Sequence, residues 1–252
     1  MFTGFTEETT RFFLDIRFHN SAEYFQANRD RYVRDVQTPF YALIGDLVPV
    51  LQTIDPLMEI RPHRVLSRLR RDTRFSRDKS PYRDHLWLWF KRGGEERWMS
   101  TGFWFEFGPD RLSWGLGTWG ENRPLMDRFR REIAANPARV GGILTACDLP
   151  GHHLALGGER FKRMEVPEGV PEHLRPWYLA REVAVSQTRP DFRETGSHEL
   201  AVHVAEDYRA LGPVYRLLRG MQDELDSAAE AEEAKKAEEA ARRKAPPRAD
   251  EW

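Results

Sequence analysis

Residues 85–120 read HLWLWFKRGGEERWMSTGFWFEFGPDRLSWGLGTWG, and their punctuation decides the fold. HLWLWFK, residues 85–91, has the aromatic content of a strand. Gly93-Gly94 supplies a turn into RWMSTGFWFEFG, residues 97–108, and Pro109-Asp110 a second turn into RLSWGLGTWG, residues 111–120. Three strands joined by short connections predict an antiparallel meander.

The flanking segments have a different period. Upstream, Thr6 followed by Glu7 and Glu8 is an N-terminal helix signal, and Phe12, Phe13 and Ile16 recur at helical spacing. A second helix starts near Asn20 or Ser21 and shows Tyr24, Phe25, Tyr32, Val33 and Val36 on one face. Pro39 predicts a break and the first turn of a third helix. HRVLSRLRRD, residues 63–72, alternates and reads as a further strand. Downstream, residues 123–136 form an amphipathic pattern, residues 148–175 read as loop, and residues 181–187 as a strand. Ser197 caps a helix that Pro213 is expected to divide. Helices, meander, helix, strand, helices is the order of a single α+β domain, placed at residues 1–225.

Residues 226–252, DSAAEAEEAKKAEEAARRKAPPRADEW, carry no large apolar side chain before Trp252. They read as a charged tail, disordered or a solvated helix, that Pro246-Pro247 stop. A solubilising tail and a partner-binding arm are its two readings.

The chain has 252 residues, 39 Lys and Arg against 40 Asp and Glu, and a formal net charge of −1. Global charge therefore gives no argument for nucleic acid. The single cysteine, Cys147, forbids an internal disulfide and fits a reducing compartment. The N-terminus lacks the pattern of a signal peptide, and no apolar stretch reaches membrane-spanning length. These features predict a cytoplasmic protein with no membrane partner.

Most catalytic patterns are missing. There is no Gly-x-x-x-x-Gly-Lys-Ser/Thr loop and no Gly-x-Ser-x-Gly elbow. GLGTWG, residues 115–120, matches a dinucleotide fingerprint in letters only, because it does not join a strand to a helix. Its glycines read instead as places where a strand bends or lies near another backbone. His198 and His203 are spaced so that their imidazoles diverge by about 140° around a helix, too far for a shared zinc. His152-His153 reads as incidental and Cys147 as a buried thiol. The residues point to no metal site and no particular cofactor.

What remains is RLRRDTRFSRDKSPYR, residues 68–83, with seven Lys or Arg and two Asp, a net of +5. Arginine suits bidentate contact with phosphate or carboxylate. One reading is a basic pocket for a small anionic ligand, held by Arg68, Arg71, Arg74 and Lys79. Asp72 and Asp78 would then orient these cations or act as acid and base, with Tyr82 nearby. The rival reading is a salt-bridged structural loop. Asp72 and Asp78 would then pair with Arg70, Arg74 or Lys79, and Asp15, Glu23, Asp30 or Asp35 would supply further acids. Nucleic-acid binding through the run, and a non-catalytic scaffold role, are further alternatives. The sequence specifies no reaction and no oligomeric state.

The run resembles the signature of domain-of-unknown-function family 2461, an uncharacterised bacterial family. The similarity rests on Arg68, Arg71, Asp72, Arg74, Phe75, Ser76, Asp78, Lys79, Pro81 and Tyr82, with Arg83 where Lys is usual. NSAEYFQANRDRY, residues 20–32, is similar to the family's N-terminal motif, with Tyr24 where Trp is usual. SWGLGTWG, residues 113–120, and more loosely the segment from Glu159 to Trp177, are similar to two later stretches of it. The resemblance spans about residues 2–225. It implies that Asn28, Arg29 and Tyr32 belong with the basic run in one assembly, and it implies no activity.

Overall fold

The computed structural model of the chain describes residues 1–95 and 99–244. The expected strand start at Arg97-Trp98 and the helix stop at Pro246-Pro247 lie outside the described residues.

Helix α1 (Glu7–Phe18) buries Phe12, Phe13 and Ile16, the residues whose spacing predicted it. Its first turn is tied back by the Thr6 N–H, which donates to Thr9 Oγ1 at 3.2 Å. Helix α2 (Ala22–Ala27) is capped by Ser21, whose hydroxyl accepts from the Tyr24 N–H at 3.1 Å. Pro39 stands in the first turn of a helix, as expected, but makes no break before it. Helix α3 (Arg29–Arg31), a π-helical turn (Tyr32–Gln37) and helix α4 (Thr38–Ile54) follow one another directly. The widened turn absorbs the missing Pro39 donor, and Thr38 Oγ1 donates to the Val33 carbonyl at 2.8 Å.

The strand expected over residues 63–72 does not form. Pro62–Val65 is a single helical turn, α5, favoured by proline at its start. The chain beyond is extended but pairs only through isolated bridges, Leu66 with Leu88 and Arg70 with Tyr82. The alternation holds over residues 67–70, where Ser67 and Leu69 are buried and Arg68 and Arg70 exposed, but not before it, since Val65, Leu66 and Ser67 are buried in succession.

The meander is present as β1 (Leu86–Phe90), β2 (Thr101–Gly108) and β3 (Arg111–Thr118), with Pro109-Asp110 as a two-residue turn. Helices α6 (Arg123–Ala135) and α7 (Pro137–Ala146) follow. The region expected to be loop contributes a short strand, β4 (Leu154–Leu156), and α8 (Arg175–Leu179) precedes β5 (Ala184–Gln187). All pairings are antiparallel, in the order β1-β2-β3-β5-β4.

Period-two alternation gives this sheet two different faces. Leu86, Leu88, Phe90, Phe103, Phe105, Phe107, Leu112, Trp114 and Leu116 are all buried in the core. On the other face stand Trp87, Trp89, Trp104 and Glu106, with Gly102, Gly115 and Gly117 between them. Their bare backbone is needed: a Cβ on Gly115 would meet Trp104 Cη2 at 2.8 Å, and one on Gly102 would meet Trp89 Cε2 at 3.3 Å. Backbone carbonyls of the neighbouring strands come closer still, and the indoles lie across the glycines, so neither Gly115 nor Gly117 has room for a side chain.

Helix α9 (Glu199–Lys244) runs through Pro213 without division and packs on α4, β2 and β3. Gly212 has no Cβ to clash with the proline ring, which lifts the usual restriction on the residue before proline. Tyr208 and Tyr215 pack on Phe103 at 4.7 and 5.3 Å, and Tyr208 Oη donates to the Trp104 carbonyl at 2.6 Å. The last half-buried apolar side chain is Leu225, and residues 226–237 are exposed. Deleting residues 232–252 should change the unfolding free energy by less than about 0.5 kcal/mol, measured by urea denaturation. A loss above about 1 kcal/mol would assign the exposed segment a packing role. Among the described residues no helix is long and apolar enough to cross a membrane.

Candidate functional site

The basic run folds as an excursion clamped at its base. The Arg71 N–H donates to the Pro81 carbonyl at 2.8 Å and the Arg83 N–H to the Leu69 carbonyl at 2.9 Å. The Ser67 N–H reaches the Trp87 carbonyl at 2.8 Å, tying the incoming segment to β1. Tyr82 is the anchor. Its ring is buried against Phe25 at 4.7 Å, and Asn20 bonds both its N–H and its carbonyl at 2.9 Å. Phe75, at the tip, is exposed, with the Arg74 guanidinium 5.7 Å from its ring centre.

Between this excursion, the α5 turn and β1 lies a cleft of about 1120 Å³. Trp87 and Trp89 form its floor, and Arg64, Arg68, Arg70 and Arg83 line its sides. The acids of the run are already engaged. Arg74 Nη2 pairs with Asp72 at 2.7 Å and holds the Asp72 carboxyl down to about 2. Arg71 pairs with Asp78, and its hydrogen bond, with those of Ser80, holds that carboxyl well below the usual range. Asp15 and Asp35 do not reach the run; they pair with Arg31 at 3.0 Å and Arg34 at 2.7 Å. Arg68, Arg70 and Arg83 are left with no carboxylate partner among the described residues.

Arg83 is the most constrained of these. Its Nη1 donates to the carbonyls of Arg68 at 2.9 Å and Arg70 at 3.0 Å. Its guanidinium lies 4.8 Å from the Trp87 ring centre. Burial, with the nearby Arg71 charge, lowers its pKa from the ordinary arginine value. A guanidinium is thus fixed behind the two backbone units that carry Arg68 and Arg70. At the far rim, Arg61 holds the Glu59 carboxyl down to about 2.

Beside the cleft, His85 Nδ1 is 2.8 Å from Asp84 Oδ1, and its Nε2 is 3.6 Å from Glu106 Oε1. His198 and His203 go to separate partners, the Phe2 carbonyl and Glu194. Cys147 is buried, and burial pushes its thiol pKa up.

A family profile described as "Conserved hypothetical protein (DUF2461)" matches residues 8–216. The chain belongs to the DUF2461 family. No curated protein and no solved structure matches it. The DUF2461 match ends within α9, before its exposed segment begins.

Within the DUF2461 region the sequence-derived residues separate. Arg68, Arg71, Asp72 and Arg74 line the cleft; Asp78, Lys79, Tyr82 and Arg29 do not. Asp78 caps the Ser80 N–H at 2.9 Å, and Lys79 Nζ donates to the Thr73 carbonyl at 2.9 Å. Arg29 is exposed on α3. The link between the N-terminal motif and the run passes through Phe25 and Asn20, with Tyr32 behind Phe25 at 5.6 Å. Arg64, Arg70, Arg83, Trp87 and Trp89 also line the cleft and were not among the residues expected there. The signal for the two tryptophans was present, since alternation in LWLWF puts both on one face.

Proposed function

We propose that this chain binds a small anionic ligand, bearing phosphate or carboxylate, in the cleft between residues 68–83 and β1. The observation that carries the reading is the pairing pattern. The acids of the run are consumed by Arg71 and Arg74, while Arg68, Arg70 and Arg83 line one cleft and pair with no carboxylate among the described residues. Cations held near one another repel, and an anion entering the cleft removes that cost. Arg83 supplies preorganisation: it is fixed by two carbonyls and an indole, so a ligand need not order it. Arg68 and Arg70 are exposed and close on the anion with two-pronged hydrogen bonds.

Millimolar phosphate or pyrophosphate should raise the melting temperature, because a ligand of the native state stabilises it. Arg68→Ala and Arg70→Ala should each weaken the binding about tenfold or more, the worth of one charged hydrogen bond, in isothermal titration. Each should leave ligand-free stability within about 0.5 kcal/mol, since both side chains are exposed. No thermal shift with either anion would refute the reading. Affinity that collapses steeply with salt and grows with the length of a polynucleotide would replace it with nucleic-acid binding.

A further inference from the structure

We infer that the anionic ligand is a nucleotide, its phosphate held by the cleft arginines and its base lying in a tryptophan trough that adjoins them. This rests on the anion-binding reading above and adds the identity of the group attached to the anion.

The trough is a second concavity of about 380 Å³ on the face of the sheet opposite the core. It shares Trp87 and Trp89 with the cleft and adds Trp104 and Trp119. An occupant can therefore touch arginine at one end and indole at the other. The indoles are fixed by one another: Trp119 stacks on Trp87 at 6.1 Å and 29°, and meets Trp89 edge-on at 5.3 Å and 70°. Gly117 leaves the floor low, since a Cβ there would meet Trp104 Cζ3 at 3.3 Å. Three half-buried indoles, Trp87, Trp104 and Trp119, backed by the buried Trp89 and set beside unpaired cations, form a stacking platform next to a phosphate site. That is the combination by which proteins hold nucleotide units.

The polar complement of the trough decides between a base and a sugar. Beyond its indoles it offers one imidazole, His85, one carboxylate, Glu106, and one hydroxyl, Thr118. A sugar body carries a hydroxyl on most of its carbons, and each needs a partner when buried. A heterocyclic base presents a flat face to indole and a single edge of donors and acceptors. His85, held by Asp84 at 2.8 Å, and Glu106 stand together at the trough to meet such an edge.

The test is a titration of the full chain with AMP, GMP, CMP, UMP and ribose 5-phosphate, following indole fluorescence and heat. At least one mononucleotide should bind about tenfold or more tightly than ribose 5-phosphate, and quench the indoles as it does so. Trp104→Ala and Trp119→Ala should erase that difference while leaving ribose 5-phosphate affinity unchanged, which also certifies that each variant is folded. If all four mononucleotides bind no better than ribose 5-phosphate, the base assignment is wrong and the anion site stands. If ribose 5-phosphate and every nucleotide fail to bind, the anion reading itself falls, and this inference with it.

Discussion

Asp55→Ala should lower the unfolding free energy by about 3–5 kcal/mol, the cost of removing one partner from a buried ionic network. Asp55 closes α4 and is 4% exposed. Its carboxylate accepts from Tyr215 Oη at 2.7 Å, Arg92 Nε at 2.6 Å and the Leu57 N–H at 3.0 Å. One side chain thus joins the N-terminal helices, the segment after β1, and α9. Alanine would leave the Tyr215 hydroxyl buried without its acceptor and Arg92 with only Asp223. The pH dependence has a definite sign. Burial pulls the Asp55 pKa upward, but the hydrogen bonds from Tyr215, Arg92 and Leu57 outweigh it, and the net shift is downward. A carboxyl whose folded pKa is depressed stabilises fully above its unfolded value, near 4, and loses that contribution as pH falls through the folded value. Urea denaturation at pH 7 should therefore show the full gap between wild type and variant, and below about pH 4 the gap should narrow. A gap under 1 kcal/mol at pH 7, or one that widens in acid, would contradict this account.

Gly115→Ala is expected to cost about 2–3 kcal/mol through backbone overpacking. The new Cβ would lie 2.0 Å from the Val185 carbonyl oxygen and 2.9 Å from Ser186 Cα. Both belong to the neighbouring strand, so β3 and β5 must part. The same substitution at Gly45 should act in the opposite direction. Gly45 is exposed in α4 with nothing within 4 Å of an added Cβ, and alanine there favours the helix by about 0.5–1 kcal/mol. Thermal melts of the two variants should move to opposite sides of wild type. If Gly115→Ala melts with wild type, the close approach of Trp104 and β5 to the β3 backbone is wrong.

The α+β order and the meander were legible because alternation, turn residues and aromatic content agreed over residues 85–120. Four readings differed where a local rule met a tertiary exception or an element was too short to show. Pro39 and Pro213 read as breaks, yet a π-turn accommodates the first and Gly212 the second. The alternation holds over residues 67–70, but alternation reports which side chains are buried and not whether the backbone finds a full partner strand. β4, three residues long, is too short to leave a pattern.

At the site, the run's excess charge was visible, while the choice of partners was not. Asp78 took Arg71, seven positions away, instead of the adjacent Lys79. Arg83 is linked by backbone carbonyls to Arg68, fifteen positions earlier, and nothing in the letters shows that crossing.

The segment that carries Arg68 and Arg70 also occupies the outer edge of β1. Leu66 bridges to Leu88, Met58 bridges to Arg92, and Ser67 bonds the Trp87 N–H through its hydroxyl at 3.0 Å. An uncovered strand edge is a template for pairing with another chain. Here the exposed edge is stubbed by irregular bridges and fronted by arginines. At the opposite end β4 is too short to recruit a partner. The arginine segment is thus a guard against aggregation as well as a wall of the cleft. A variant that emptied it of charge should lose solubility.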